Sequence, residues 1–313
     1  GRTESGLRPA PSLNRAPARR AEDRLRDSFS GAALDGARQR VRQELEGLEA
    51  RTRRLGQDLH RTPELGCREY HTVIRIAGEL EEEGFDVTTG LAGLSTAFRA
   101  ERSGKPGPCI AFLAEYDAVP NLGHTCGHNL VVAAAYGAAV SLVRALGDDL
   151  PGRVAVIGAP AEETIGGKVV LSARGGFDDV DVALLAHPGA RDQVAVQSLA
   201  SWSVEVVFRG RSAHAVAAPE KGLNALDALI QLFVARDALL KGLLPEVRVP
   251  GVILEGGVRP NVVPDRARAR FSLRAANADY LVETVYPRFR DAAEGVARAT
   301  GTTVSVTPVD NLY

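Results

Sequence analysis

The sequence predicts an α/β fold: a mostly parallel sheet followed by a second, smaller domain. Short apolar segments at residues 109–114, 153–158 and 182–186 alternate with helical patterns. Strand, helix, strand order predicts parallel pairing with right-handed crossovers. After residue 199 the order of the predicted elements changes, and 313 residues with 45% hydrophobic content are enough for two ordinary domains.

The first domain is predicted to begin with two amphipathic helices. From Asp35 to Leu59 the apolar residues repeat at helical spacings, and Pro63 forbids simple continuation of that helix. A second helix is predicted over residues 70–83. Helices starting near His128 and over residues 167–174 join the three strands. The apolar run 130–140 is far shorter than the roughly 20 residues of a membrane span, which favours a buried helix.

The second domain is predicted to have the element order βαββαβ, which is the ferredoxin-like order. The boundaries follow from this change of pattern: residues 35–199 form the first domain, 200–310 the second, and 311–313 begin a return to the first sheet, which is therefore expected to be incomplete. Residues 1–34, rich in Arg, Ala and Pro, are predicted to be a disordered lead-in. The chain has no Met, which suggests a fragment. The predicted strands are 202–209, 249–254, 267–274 and 303–307, and the helices are 223–240 and 279–300.

Composition excludes some classes of partner. The formal net charge is -1, so no overall field attracts nucleic acid or an anionic membrane. The three cysteines are an odd number without framework spacing, which favours a reducing compartment. We therefore expect a cytoplasmic protein that binds neither nucleic acid nor membrane.

The most informative motif is Gly-His-Thr-Cys-Gly-His-Asn at residues 123–129. Thiols and imidazoles suit zinc and neighbouring metals. A lone buried Cys or His is usually structural, but the Cys126–Gly–His128 spacing between a strand and a helix favours a metal site. His124 is the less secure member and is interpreted as shaping the loop.

Further polar residues follow the ends of predicted parallel strands: Asp117, the pair Glu162 and Glu163, and His187. Ligands of such sheets bind beyond the carboxyl ends of the strands. Adjacent acids are common on solvated surfaces, but this pair follows an apolar strand that would bury both. Two buried acids cannot both ionise freely, so a metal bound to one would leave the other as a general base. Asp117 is interpreted as an acid that orients an imidazole.

These motifs together carry a family resemblance. Residues 60–64 (His-Arg-Thr-Pro-Glu), 113–120 (Leu-Ala-Glu-Tyr-Asp-Ala-Val-Pro), 123–129, 160–167 (Pro-Ala-Glu-Glu-Thr-Ile-Gly-Gly) and 186–188 (Ala-His-Pro) resemble the aminoacylase and carboxypeptidase-G superfamily of metallohydrolases. The similarity is to its amidohydrolase branch, in which a cysteine replaces the bridging carboxylate, and within it to the Xaa-Arg dipeptidase and p-aminobenzoyl-glutamate hydrolase groups. It extends from about residue 35 to the end.

The resemblance implies an activity, a cofactor and partners. It implies two divalent ions, zinc or manganese, and hydrolysis of an amide in a small peptide or N-acyl amino acid, releasing Lys, Orn or Arg. It also implies a homodimer formed through residues 200–310. The implied roles are as follows: Cys126, His128, Glu163 and His187 as metal ligands, Glu162 as general base, His214 as oxyanion stabiliser across the dimer, and Asn261 with Arg274 on the substrate carboxylate.

The chain departs from the family pattern in one respect. The family supplies a last histidine ligand from its C-terminal return, whereas all six histidines here precede residue 215. We therefore expect the final ligand to be absent from this chain and its activity to be weak or absent. Two alternatives remain open at this point. One is a thiol hydrolase with Cys126 as nucleophile and His128 as base, and the other is an inactive partner that dimerises through the second domain.

Overall fold

The computed structural model describes residues 31–194 and 198–312. The predicted disordered lead-in therefore lies largely outside the described residues, as does Tyr313 of the predicted return. Residues 31–34, which that lead-in included, instead form the first turn of a helix.

The first part of the chain forms a five-stranded sheet covered by helices. The strand order is β1-β2-β4-β3-β5. The helices are α1 (Gly31–Arg61), α2 (Tyr70–Glu82), α3 (His128–Leu146), α4 (Glu162–Ile165) and α5 (Gly167–Ala173), and the strands are β1 (Asp86–Thr89), β2 (Phe98–Ser103), β3 (Lys105–Ala114), β4 (Pro151–Gly158) and β5 (Val182–Leu184).

The prediction that the sheet is mostly parallel is wrong, because only half of its strand pairs are parallel. Strand β3 pairs in parallel with β4 and β5, but β1 with β2 and β2 with β4 are antiparallel. The sheet is therefore mixed, with two strands that the sequence analysis did not identify. In β2, buried Phe98 and Ala100 alternate with the partly exposed Arg99 and Glu101. This is the period-2 signal of a strand, hidden among charged residues.

The second part of the chain forms a four-stranded antiparallel sheet with the order β7-β8-β6-β9. The element order is the predicted one, and the strand boundaries agree within two residues. Asn224 caps α6 by accepting from the backbone N–H groups of Leu226 and Asp227. The elements are β6 (Ala200–Arg209), α6 (Ala225–Leu240), β7 (Gly251–Glu255), β8 (Arg266–Ala275), α7 (Tyr286–Thr300, preceded by a π-helical turn at Leu281–Val285) and β9 (Thr303–Pro308).

Helix α3 lies at the centre of the first core. Val132, Tyr136 and Val140 are buried there with Leu55 of α1 and Val156 of β4. By length and composition alone, His128–Asp149 would also satisfy the requirements for a membrane span, but half of that stretch is buried inside the protein. This burial and these contacts are those of a helix in the core of a protein.

The parallel strands determine where the site lies. Ala114 at the end of β3 is level with Gly158 at the end of β4, and Phe112 is level with Leu184 at the end of β5. The segments that follow these strands therefore leave the sheet at the same edge. Those segments contain the acids and imidazoles singled out in the sequence.

Candidate metal centre

His128 is the first residue of α3 and its ring is fully buried. Gly127 precedes it with a positive φ of 84°, and a Cβ there would lie 2.8 Å from Pro188 Cγ, so glycine is required. The Nδ1 atom lies 2.9 Å from the Asp117 carbonyl oxygen and 3.0 Å from its Oδ1. Both are acceptors, so Nδ1 carries the proton and the Nε2 lone pair points into the site. Burial alone would lower the pKa of His128, but the Asp117 hydrogen bond and charge raise it.

The surroundings of this lone pair fit a cation. His128 Nε2 lies 3.6 Å from Glu115 Oε2 and 3.9 Å from Glu162 Oε2. Among the described residues, His128 Nε2 and Glu115 Oε2 are both buried and have no hydrogen-bond partner. Acceptors that face one another without a donor are costly in a buried site. A divalent ion between them would satisfy both.

Cys126 and His187 add two more soft ligands. Their Sγ and Nε2 atoms are 3.5 Å apart, and His187 Nδ1 donates to the Pro188 carbonyl oxygen at 2.8 Å, which leaves Nε2 free to ligate. The potential ligand atoms of Cys126, His128 and His187 all lie within 4.8 Å of one another. The same holds for His128, Glu162 and Glu163. The four ligands predicted from the sequence are therefore brought together.

The thiol is not activated by its surroundings. Burial, and after it the hydrogen bond and charge of Glu163, raise the pKa of Cys126 to about 12. A reactive cysteine needs a lowered pKa. The imidazole in hydrogen-bond contact with this thiol is that of His187, whereas the thiol alternative names His128 as the base. A bound cation would instead stabilise the thiolate directly.

The acidic pair forms the start of α4, directly after a residue with a left-handed backbone conformation. Ala161 has a φ of 57°, and the Glu163 N–H donates to Asp117 Oδ2 at 2.9 Å. Asp117 thus contacts the His128 ring, which is the role the sequence analysis proposed for it, and also the backbone of the acidic pair. Burial, followed by the charge of Glu163, raises the pKa of Glu162. A half-buried carboxylate with a raised pKa suits general-base chemistry near neutral pH.

The second domain contributes Arg274 to the same site. A cleft of about 450 Å³ is lined by Glu162, Glu163, Arg274, Ser272 and Asp310, among others. The Asn311 amide donates to the Ile165 carbonyl at 2.8 Å, which ties the end of the second domain to α4. Arg274 is therefore brought to the acidic pair within one chain.

His214 and Asn261 form a separate group. The two segments pair where the Ala215 N–H donates to the Asn261 carbonyl at 3.0 Å. Among residues 31–194 and 198–312, no hydrogen bond or ion pair joins either side chain to the acidic pair or to Arg274. Among the described residues, His124 belongs to neither group of potential ligand atoms, and it is buried with its ring centroid 6.4 Å from that of His60.

Three residues were missed in the sequence analysis: Glu115, Glu69 and Lys168. Glu115 lies directly after β3, two residues before Asp117, so the same strand-end argument would have found it. Glu69 is buried and binds the backbone N–H of Ala161 at 2.8 Å. Lys168 forms a short ion pair with Glu115. Nothing in the local sequence distinguishes Glu69 or Lys168 from surface charges.

Comparison with known proteins agrees with this geometry. Residues 196–297 match the peptidase dimerisation domain of the M20 family. The chain is 34% identical over 289 residues to an Xaa-Arg dipeptidase of Mus musculus, covering 88% of this chain and 67% of that protein. It is 35% identical over 262 residues to one of the p-aminobenzoyl-glutamate hydrolase polypeptides of Escherichia coli, covering 77% of this chain and 54% of that protein.

Solved structures share the fold. An aminobenzoyl-glutamate utilization protein from Klebsiella pneumoniae aligns with a TM-score of 0.65 at 22% identity, over 86% of this chain and 78% of that one. A dinuclear metal binding peptidase of the M20 family from Bacillus subtilis aligns with a TM-score of 0.61 at 24% identity, over 85% and 76%.

Together the mixed sheet, the clustered potential ligands and these similarities are those of one class of protein, the M20 peptidases. The chain belongs to the M20 peptidase family, as the resemblance predicted. It spans between about half and two thirds of the length of the curated relatives named above.

Proposed function

We propose that this chain carries the metal-binding and dimerisation parts of a metal-dependent hydrolase that cleaves the amide bond of dipeptides or N-acyl amino acids. The single observation that carries the proposal is the pair of buried, unpartnered acceptors, His128 Nε2 and Glu115 Oε2, beside Cys126 and His187. A divalent cation would satisfy these acceptors, and the mixed donors suit zinc or manganese, with the thiolate favouring zinc.

Each residue has a distinct task in this proposal. Cys126, His128, Glu163 and His187 hold two divalent ions. Ions bound there supply Lewis-acid chemistry and lower the pKa of water. Glu162 accepts the proton of the attacking water and returns it to the leaving amine. Asp117 fixes the His128 ring and the start of α4.

The second domain serves substrate binding. Arg274 faces the cleft beside the acidic pair, and its guanidinium fork matches a carboxylate on the leaving amino acid. Asn261 is assigned to the same carboxylate. His214 stabilises the oxyanion from the neighbouring protomer of a homodimer, which accounts for its separation from Glu162 within one chain.

The leaving amino acid is proposed to be basic. The support is similarity to Xaa-Arg dipeptidases of Mus musculus and Homo sapiens, at 34% and 35% identity. The three cysteines are free, and we place the protein in a reducing compartment such as the cytoplasm.

The testing experiment is metal content per chain after dialysis, measured by plasma mass spectrometry on wild type, Cys126→Ala and His128→Ala. We expect bound metal in wild type and loss of it in both variants. Matched controls are Cys67→Ala and His71→Ala, which remove an exposed thiol and an exposed imidazole elsewhere. A folded wild type without metal would contradict the proposal.

A panel of dipeptides with Lys, Orn, Arg, Leu or Glu at the C-terminus then tests the substrate class. Turnover that survives chelation but not thiol alkylation would favour the thiol alternative. A dimer that binds metal without turnover on any dipeptide would favour the inactive partner.

A further inference from the structure

Glu115 occupies an unusual position for a carboxylate. It follows β3 directly and is only 3% exposed. One oxygen, Oε1, forms the short ion pair with Lys168. The other oxygen, Oε2, has no hydrogen-bond partner among the described residues and faces two imidazole nitrogens. These are His128 Nε2 at 3.6 Å and His187 Nε2 at 4.0 Å.

Ion pairing with Lys168 satisfies only one of the two carboxylate oxygens of Glu115, Oε1. In the neutral form neither imidazole donates to Oε2, because His128 Nδ1 carries its proton toward Asp117 and His187 Nδ1 donates to the Pro188 carbonyl. Three lone pairs therefore converge without a proton between them. A carboxylate whose sole task was to pair with Lys168 would leave Oε2 buried and unsatisfied, at a cost that a bound cation removes.

The separations are those of atoms that share one ion. Two ligand atoms, each about 2.1 Å from a tetrahedral ion, lie roughly 3.4 Å apart. The distance from Glu115 Oε2 to His128 Nε2 is 3.6 Å, and that from Cys126 Sγ to His187 Nε2 is 3.5 Å. Only small movements of these side chains are needed to close around an ion at this point.

We propose that Glu115 is a metal ligand of this chain, binding through Oε2 while Lys168 holds Oε1 and competes with the ion for the carboxylate charge. This rests on the proposed function, since it needs a metal at the site. It adds a ligand that neither the sequence motifs nor the similarities assign.

The test is zinc affinity, measured by competition with a chromophoric chelator, in three variants. The affinity is expected to fall in two of them and to rise in the third. Glu115→Gln removes the ligand charge and should weaken zinc binding at least tenfold. Lys168→Met removes the competing ammonium and should tighten it. The double variant Glu115→Gln/Lys168→Met leaves no unpaired buried charge, so it keeps the fold while lacking the ligand, and it should also bind at least tenfold more weakly. Glu205→Gln, on the second sheet, is the matched control.

Cobalt substitution supplies a second readout. A lost ligand changes the visible d–d spectrum, so Glu115→Gln should alter it and Lys168→Met should not. If the double variant is folded by circular dichroism and binds zinc with wild-type affinity and an unchanged cobalt spectrum, Glu115 is only an ion-pair partner and the inference is overturned. If wild type binds neither metal, the proposed function itself fails, which is a different result.

Discussion

Glu69 lies behind the acidic pair and holds its backbone in place. Its Oε1 accepts from the Ala161 N–H at 2.8 Å, and its Oε2 accepts from the Thr96 hydroxyl at 2.8 Å. Ala161 adopts the left-handed conformation that non-glycine residues avoid, at a cost of about 1–2 kcal/mol. The hydrogen bond that the Ala161 N–H donates to Glu69 therefore offsets local strain immediately before Glu162.

Removal of the Glu69 carboxylate should destabilise the protein. A glutamine at this position should keep the stability, because its amide can form the same two contacts. In Glu69→Ala the Ala161 N–H is buried without a partner, so we expect a loss of about 1–3 kcal/mol in the free energy of unfolding. Glu69→Gln can still accept from Ala161 and donate to the Thr96 hydroxyl, so its stability should stay close to wild type. Urea unfolding at pH 7 measures both. Equal stability of the alanine variant would contradict the assigned role.

The same residue predicts a pH dependence. Burial raises the pKa of Glu69 above its ordinary value of 4.5. The folded state therefore holds this proton more tightly than the unfolded state. The stability that protonated Glu69 contributes is full below pH 4.5 and is lost as the pH rises through its folded pKa. The free energy of unfolding of wild type should fall more steeply above pH 4.5 than that of Glu69→Gln. Parallel curves for the two proteins would contradict the prediction.

At the scale of elements, α2 is capped from outside the helix. The residue that precedes it, Glu69, makes no side-chain capping hydrogen bond, but Glu64 accepts from the His71 N–H at 3.2 Å and the Thr72 N–H at 2.8 Å. The Glu64 carbonyl also accepts from the Ala118 N–H at 2.8 Å. The His-Arg-Thr-Pro-Glu motif thus joins the start of α2 to the loop that carries Asp117.

Loss of this cap should cost about 1 kcal/mol of unfolding free energy. Both carboxylate oxygens accept, and a glutamine can replace only one of them, so Glu64→Gln should be destabilised at pH 7. Burial alone would raise the pKa of Glu64, but the hydrogen bonds from Thr72 and His71 lower it below 4.5. The stabilisation is therefore present above pH 4.5 and is lost as the pH falls through the folded pKa.

The measurement is urea unfolding of wild type and Glu64→Gln at pH 7 and in a series down to pH 4 and below. Glu81→Gln, an exposed position on the same helix, is the matched control. The difference between wild type and Glu64→Gln should shrink toward acid pH, whereas the control should stay level with wild type throughout. A difference that grows with acid would contradict the capping role.

The elements that the sequence predicted are those whose apolar residues form a continuous run or a clear helical repeat. The three parallel strands are short apolar runs, and their shared carboxyl edge correctly predicted that Cys126, His128, Glu163 and His187 would meet. Strands β1 and β2 were missed because their exposed faces are polar or charged. The contacts of Glu69, Glu64 and Lys168 could not be predicted from the sequence. Each contact is with a residue that only tertiary packing brings near, and the local sequence pattern carries no sign of it.

At the scale of the whole molecule, the second sheet has an apolar free edge. Strand β7 is one of its two edge strands, and Val252, Ile253 and Leu254 on it are 56%, 43% and 43% exposed. Three consecutive exposed apolar residues on an edge strand form a template for pairing with another chain. The strand falls within residues 196–297, which match the peptidase dimerisation domain. We therefore propose β7 as the centre of the homodimer contact.

Ile253→Lys should convert the dimer to a monomer, because a lysine on an edge strand disfavours strand addition. Light scattering after size exclusion measures the mass. The matched control is Val182→Lys on β5, one of the two edge strands of the first sheet, where Val182 is 46% exposed. If the control dissociates the dimer and Ile253→Lys does not, the contact lies on the first sheet instead.

The monomeric variant also separates metal binding from catalysis. All proposed ligands lie in residues 115–187 of one chain, so Ile253→Lys should keep the zinc content of wild type. His214 is assigned to the site of the neighbouring protomer, so any dipeptide turnover of the wild type should be lost with the dimer. Mixing Ile253→Lys with His214→Ala should not restore turnover, because the first cannot pair. Full turnover in a confirmed monomer would show that His214 acts within its own chain or not at all.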